Sequence, residues 1–180
     1  APGQTALVLG AGMIGLLTLQ ALRVAGCSRV FVADVDASRL KLATSLGANA
    51  LLTTGADLVA QISTLTDGRG VDVAVEAVGV DETVLVAIDC VGKGGRVTLV
   101  GNVSPEVTLP LQKVVTRQIR LQGSCASAGE YPQAIELLAS GRIQVKPLIS
   151  AIAPLDGEEL QLGPQYKSLL EPFVPRAAVV

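Results

Sequence analysis

The chain has 180 residues, with 14 basic and 16 acidic side chains and a net charge of -2. No basic cluster is present that would track a phosphate backbone or an anionic membrane, so neither nucleic acid nor a membrane is expected as a partner. There is no histidine, which removes the commonest general base and metal ligand, so the chain is not expected to complete acid-base chemistry alone.

The composition is 49% hydrophobic but only 2% aromatic, which suits aliphatic strands buried on both faces by helices. The length fits one compact domain over residues 1-150 with a tail over 151-180. Cys27, Cys90 and Cys125 lie far apart with no C-x-x-C spacing and are expected to be small buried hydrophobes. No apolar run approaches the roughly 20 residues that span a bilayer. The start of the chain lacks a basic segment leading into a signal core, so a cytoplasmic location is expected.

In chain order, Thr5 to Leu9 is a short apolar run ending in a glycine turn, and Met13 to Ala25 carries apolar residues at helical spacing until Gly26. The alternation repeats with Arg29 to Ala33 as strand, Ala37 to Leu46 as helix closed by Gly47, Ala50 to Thr53 as strand and Leu58 to Leu65 as helix. Val71 to Val75 is β-branched and apolar, Glu82 to Val91 is helical, and Arg96 to Val100 follows the turn Gly92-Lys93-Gly94-Gly95 as a further strand. Ile119 to Gln122 completes a count of about six strands. Strands alternating with helices in this way imply an α/β fold, a doubly wound and mostly parallel Rossmann sheet with helices on both faces. Beyond Ala151, Pro154, Gly157, Gly163, Pro164, Pro172 and Pro175 leave only Tyr166 to Leu170 as a short helix.

Gly10-Ala11-Gly12-Met13-Ile14-Gly15 is a G-x-G-x-x-G run between a strand and a helix, the context that a dinucleotide-binding turn requires. Gly10 permits the tight turn, Gly12 lets the backbone approach a pyrophosphate, and Gly15 lets the helix pack on the strand. The N–H groups opening the helix, at Met13 and Ile14, then face the phosphates. Asp34 ends the second strand about 20 residues further on, where a carboxylate accepts hydrogen bonds from an adenosine ribose. Asp36 adds a second negative charge and Arg39 lies along the same edge, so NAD is favoured over NADP. The competing structural explanation is a tightly packed turn, with Asp34 and Asp36 capping the helix at Ala37. Gly79 and Gly101 follow strands at their carboxyl ends, where open α/β sheets bind ligands, although turn glycines serve there equally well.

These residues resemble the cofactor domain of the medium-chain dehydrogenase/reductase superfamily, in particular its zinc-dependent sorbitol and galactitol dehydrogenase branch. The likeness runs from about Pro2 to Leu155. It rests on Pro2-Gly3-Gln4-Thr5 before the glycine turn, Ala33 to Leu40, Leu46-Gly47-Ala48, and Gly70 to Val73 before Glu76 and Gly79. It continues through Gly123-Ser124-Cys125 to Pro132, Gly141-Arg142-Ile143 and Lys146 to Ile149. The resemblance implies NAD against Gly10 to Gly15, Asp34 and Arg39, against Val78 and Gly79, against Val100, Gly101 and Asn102, and against Ser124 and Cys125 near the nicotinamide. Arg176 would reach the pyrophosphate from the tail.

Members of that family carry a GroES-like domain that supplies the zinc ligands and the proton relay. The expectation is therefore a fragment that binds no zinc, holds no catalytic residue of its own, and is inactive alone. Its tail would pack on the domain that the fragment lacks. In the whole enzyme, hydride would pass between an alcohol or polyol and NAD. A homodimer or homotetramer is expected, with Ile119 to Gln122 as a pairing edge. A free-standing NAD-sensing module, a zinc-independent quinone reductase domain drawn to NADPH, and an S-adenosylmethionine methyltransferase are the alternatives.

Overall fold

The computed structural model describes residues 2–53 and 57–149. Its strands are β1 (Thr5–Leu9), β2 (Arg29–Asp34), β3 (Ala50–Thr53), β4 (Val71–Glu76), β5 (Val91–Leu99) and β6 (Arg120–Gly123). Its helices are α1 (Met13–Val24), α2 (Ala37–Ser45), α3 (Leu58–Leu65), α4 (Asp81–Cys90), α5 (Leu111–Thr116) and α6 (Tyr131–Ala139), followed by a single 3-10 turn at Lys146–Leu148. All these elements belong to one compact unit, Ala1–Leu148.

Period-2 alternation along the strands decides where the core sits. In β1, Leu7 and Leu9 join one apolar cluster while Ala6 and Val8 join another, and in β2 Phe31 and Ala33 part from Val30 and Val32 in the same way. Successive side chains of a strand point to opposite faces, so the two clusters lie on opposite sides of the sheet. Leu58 and Ile62 of α3 and Val84, Ala87 and Ile88 of α4 cover the first face. Leu16 and Leu19 of α1 and Leu40 and Ala43 of α2 cover the second. The α/β class and the parallel sheet expected from the sequence are borne out.

The strands are hydrogen-bonded in the order β3-β2-β1-β4-β5-β6, every neighbouring pair parallel. The order reverses on either side of β1, which makes the carboxyl end of β1 the topological switch point, where sheets of this kind bind ligands. Register aligns the other strand ends beside it: Leu9 pairs with Ala33 and Glu76, Glu76 with Leu99, and Leu99 with Gly123.

Local chemistry sets the element ends. Gly26 follows α1 at φ 88° and Gly47 follows α2 at φ 95°, a backbone conformation that glycine adopts without strain. The Asp36 side chain caps α2, accepting from the N–H groups of Ser38 and Arg39.

Several boundaries differ from the sequence-based expectation. The segment Gly92 to Gly95 is part of β5, which begins at Val91 rather than Arg96, and the β4–β5 register shifts between Val71 and Val73 to accommodate it. Packing explains the difference: a Cβ on Gly92 would crowd the Arg69 carbonyl oxygen, so these glycines admit a bulged strand against the preceding loop. β6 ends at Gly123 rather than Gln122. Helices α5 and α6 go beyond the elements read from the sequence; both are short, and neither buries a residue completely. The proposed helix at Tyr166 to Leu170, the tail over 151-180 and Arg176 lie outside the described residues.

Candidate functional site

The three glycines of the turn after β1 have three separate physical reasons. Gly10 has φ 93° and packs so that a Cβ would meet Val78 Cγ2 at 2.8 Å. A Cβ on Gly15 would overlap the carbonyl oxygen of Gly10 and touch Val8 Cγ1 at 3.4 Å, so this position fixes how closely α1 approaches β1. Gly12 differs from both: its backbone is ordinary, φ -70° and ψ -175°, and a Cβ there would meet nothing within 4 Å. Protein packing does not require glycine at position 12, whereas a ligand laid against the backbone does.

Gly12 is also the N-cap of α1, and the cap has no side-chain hydrogen bond and no acid in the first turn. The first N–H groups of a helix have no intrahelical acceptor and carry the positive end of its dipole. Met13 and Ile14, on that first turn, are 63% and 46% exposed. An anionic group placed there meets N–H donors with no competing carboxylate.

Asp34 sits beside this turn, 5% exposed at the end of β2. Its Oδ2 accepts from the Ala11 N–H at 2.6 Å and its Oδ1 from the Asp36 N–H at 2.8 Å. Arg39 Nη1 stands 3.9 Å from Asp34 Oδ2, and Arg39 Nε 3.7 Å from Asp36 Oδ2. The capping explanation is thus right for Asp36 alone. Its carboxyl is held below the ordinary value, first by the Ser38 hydroxyl and then by backbone N–H groups. Asp34 instead joins the glycine turn to the end of β2, and each carboxylate oxygen retains a lone pair for a further donor.

The neighbouring pair of loops, after β4 and β5, crosses at backbone contact. A Cβ on Gly79 would overlap Asn102 N, and one on Gly101 would overlap Gly79 N, so both glycines are required by the crossing itself. Glu76, absent from the residues proposed from sequence, organises it. Its side chain is fully buried, with Oε1 accepting from Val78 N at 2.8 Å and Gly79 N at 2.9 Å. Its backbone oxygen takes the N–H groups of Val100 and Gly101. A charged residue closing the apolar run Val73-Ala74-Val75 was the available signal, since such a group must be satisfied where it is buried.

Leu9, Gly10, Asp34, Arg39 and Val78 line one cleft of about 820 Å³, together with an apolar wall from α3 and α4 that includes Leu58 and Val86. Of the remaining residues proposed from sequence, Val100 is half-buried and Asn102 exposed in the crossing loop. Ser124 and Cys125 are exposed beyond β6, tied to the end of β5 by the Ser124 N–H on the Leu99 carbonyl at 2.9 Å. Cys27 and Cys90 are buried as expected and Cys125 is not. Burial pushes the Cys90 thiol up to about 12, which keeps it protonated and inert.

Among the described residues no three His, Cys, Asp or Glu side chains gather to hold a metal. The described residues offer no such ligand set, while the open backbone at Gly12 and the carboxylate of Asp34 suit a dinucleotide. No described helix is long and apolar enough to cross a membrane.

Sheet order, switch-point glycine turn and carboxylate together define a Rossmann-type α/β domain. The family model for zinc-binding dehydrogenases matches residues 13–140, and the chain belongs to that family. It is 36% identical over 155 residues to the L-idonate 5-dehydrogenase of Vitis vinifera, covering 83% of this chain and 42% of that protein. It is 34% identical over 157 residues to the sorbitol dehydrogenase of Bos taurus, covering 86% and 44%. A solved structure from Sinorhizobium meliloti 1021, described as a zinc-binding dehydrogenase bound to NADP, superposes with a TM-score of 0.73 at 31% identity, covering 83% of this chain and 45% of that one. The chain spans less than half the length of these relatives.

Proposed function

We propose that this chain is the NAD-holding half of a zinc-type alcohol or polyol dehydrogenase. The observation that carries the proposal is the pairing of an unfilled backbone at Gly12 with a carboxylate, Asp34, anchored beside it through Ala11. The pyrophosphate would lie on the N–H groups of Met13, Ile14 and Gly15, and Asp34 would accept from the adenosine ribose. The adenine would extend toward Arg39 and the wall from α3 and α4. Val78, Gly79, Val100, Gly101 and Asn102 would border the nicotinamide ribose, with Ser124 and Cys125 beyond it.

When bound, the nicotinamide accepts or donates the hydride. The contribution of this chain would be orientation, by fixing the dinucleotide at both ends. The acid, base and metal ligands would come from the GroES-like half that the resemblance implies, which would also present the alcohol or polyol. Negative charge at Asp34 and Asp36 opposes a 2'-phosphate, which favours NAD over NADP, with Arg39 partly offsetting it. As an edge strand, β6 carries backbone groups with no neighbouring strand, and these would pair two copies there.

The test is a paired titration with NADH and NADPH, read by nicotinamide fluorescence, on the wild type, Asp34→Ala and Gly12→Val. Preference for NADH that Asp34→Ala abolishes, and loss of binding in a folded Gly12→Val, are expected. If neither nucleotide binds the wild type, the glycine turn is a packing device and the proposal fails.

A further inference from the structure

The opposite pole of the sheet holds a second cleft, of about 780 Å³, at the amino ends of β1, β2, β4 and β5. It is separate from the dinucleotide site in position and in chemistry. Arg29, Arg69, Lys93 and Arg117 line it, against a single lining carboxylate, Asp72. That carboxylate is already engaged by Thr5, through the N–H at 2.7 Å and the hydroxyl at 2.9 Å. A chain with a net charge of -2 therefore gathers four of its 14 cations in one recess.

Two of these cations are fixed in place without being neutralised. Arg29 Nη1 donates to the Leu65 carbonyl at 2.7 Å, and its guanidinium lies 5.6 Å over the Phe31 ring. Arg117 donates to the carbonyls of Ile88 and Val91. Carbonyl oxygens set the direction of a guanidinium but leave its formal charge, so both are positioned in advance. Arg69 has Asp67 at 3.9 Å, but both side chains are largely exposed, and a pair of that kind offsets little charge. Lys93 has no salt bridge among the described residues.

The floor is glycine. At Gly68 and Gly94 a Cβ would meet nothing within 4 Å, so the backbone there is approachable from the cleft. Four cations against one carboxylate make the cleft locally positive and raise the local concentration of anions. The volume falls within the range of small-molecule sites, about 300–1,000 Å³.

We propose that this cleft binds a small molecule carrying two or more phosphates, as a site distinct from the dinucleotide cleft. Fixed guanidinium planes suit phosphate oxygens, and Lys93 adds a mobile point charge over them. The proposal does not depend on the cofactor assignment, because the two poles share no lining residue.

The experiment is a titration of the full chain with inorganic pyrophosphate at constant ionic strength. It is followed by backbone amide shifts, with chloride as the control, and repeated on Arg69→Glu/Lys93→Glu and on Lys93→Ala. Both positions are exposed, so the variants are expected to fold. The expected result is saturable shifts at Gly68, Gly70 and Gly94 with a dissociation constant below about 1 mM. Affinity should fall about tenfold or more in the double variant and less in Lys93→Ala. NADH affinity should stay unchanged in both. Three results would overturn the proposal: shifts confined to Gly12–Gly15, a linear drift that chloride reproduces, or saturable binding that neither variant weakens. Loss of NADH binding in the wild type would sink the cofactor assignment and leave this test intact.

Discussion

At the carboxyl ends of the strands the chain places carboxylates, Asp34 and Glu76, among crossing loops that leave almost no room. At the amino ends it gathers Arg29, Arg69, Lys93 and Arg117, where Gly68 and Gly94 have open space while Gly70, Gly92 and Gly95 are crowded by backbone. Only the length of a strand separates the two poles: Thr5 from Gly10 in β1, Val71 from Glu76 in β4. Gly15, Gly79 and Gly101 are required by neighbouring backbone and Gly68 and Gly94 by their own φ of 76°, whereas Gly12 has an ordinary backbone and open space. Glycine alone therefore does not mark a site. Both poles do set an open Cβ position near charge, of opposite sign: Gly12 near Asp34, and Gly68 and Gly94 next to Arg69 and Lys93.

The comparison is broken most forcefully at the crowded glycines. Gly79→Ala adds a Cβ into Asn102 and Gly101 backbone at φ 89°, and should destabilise by about 3 kcal/mol or more. Urea unfolding measures it, and a change below about 1 kcal/mol would mean that the loops part readily. Gly12→Val should keep its stability within about 1 kcal/mol, since the site is open and only an N-cap preference is lost. It should nonetheless abolish NADH binding, and a folded variant that binds normally would remove the reason for glycine there.

Glu76→Gln tests whether the β4–β5 crossing shapes the cleft. A glutamine retains one acceptor but turns an N–H₂ group toward Gly79 N, at a cost of about 1–3 kcal/mol. NADH affinity should weaken as well, because Val78 packs against Gly10. Unchanged affinity in a destabilised variant would confine Glu76 to a structural role.

The smallest effect is expected at Asp36. Its carboxyl is depressed in the folded chain by Ser38 and by backbone N–H groups, so its contribution is complete above the ordinary value of 3.8 and is lost as pH falls through the lower folded value. The thermal midpoint of Asp36→Ala should lie slightly below wild type at neutral pH, and the gap should close in acid. A gap that persists in acid would mean that the charge contributes nothing.

Much of this was legible in the sequence because it is local. The strand-turn-helix rhythm, Gly10-Ala11-Gly12-Met13-Ile14-Gly15 and Asp34 are patterns within short windows, and the α/β class follows from how such windows alternate. Helices α5 and α6 were not read from the sequence: α5 spans six residues, and α6, although Tyr131, Ala134, Ile135 and Leu138 recur at helical spacing, spans nine and buries none of them. The strand start at Val91 was missed because Gly92-Lys93-Gly94-Gly95 has the composition of a turn, and only contact with the Arg69 loop makes it a strand.

By itself the sequence determined the alternation of elements, the identity of the glycine turn and the acid that follows it, because each depends on periodicity or on backbone freedom encoded within a few residues. The tertiary structure alone decided that Asp34 binds Ala11, that Glu76 joins the loops after β4 and β5, and that cations from β2, the loop before β4, the start of β5 and the loop after α5 share one recess. These are long-range meetings set by strand order and register. No local pattern in a chain records which distant residue will stand opposite it.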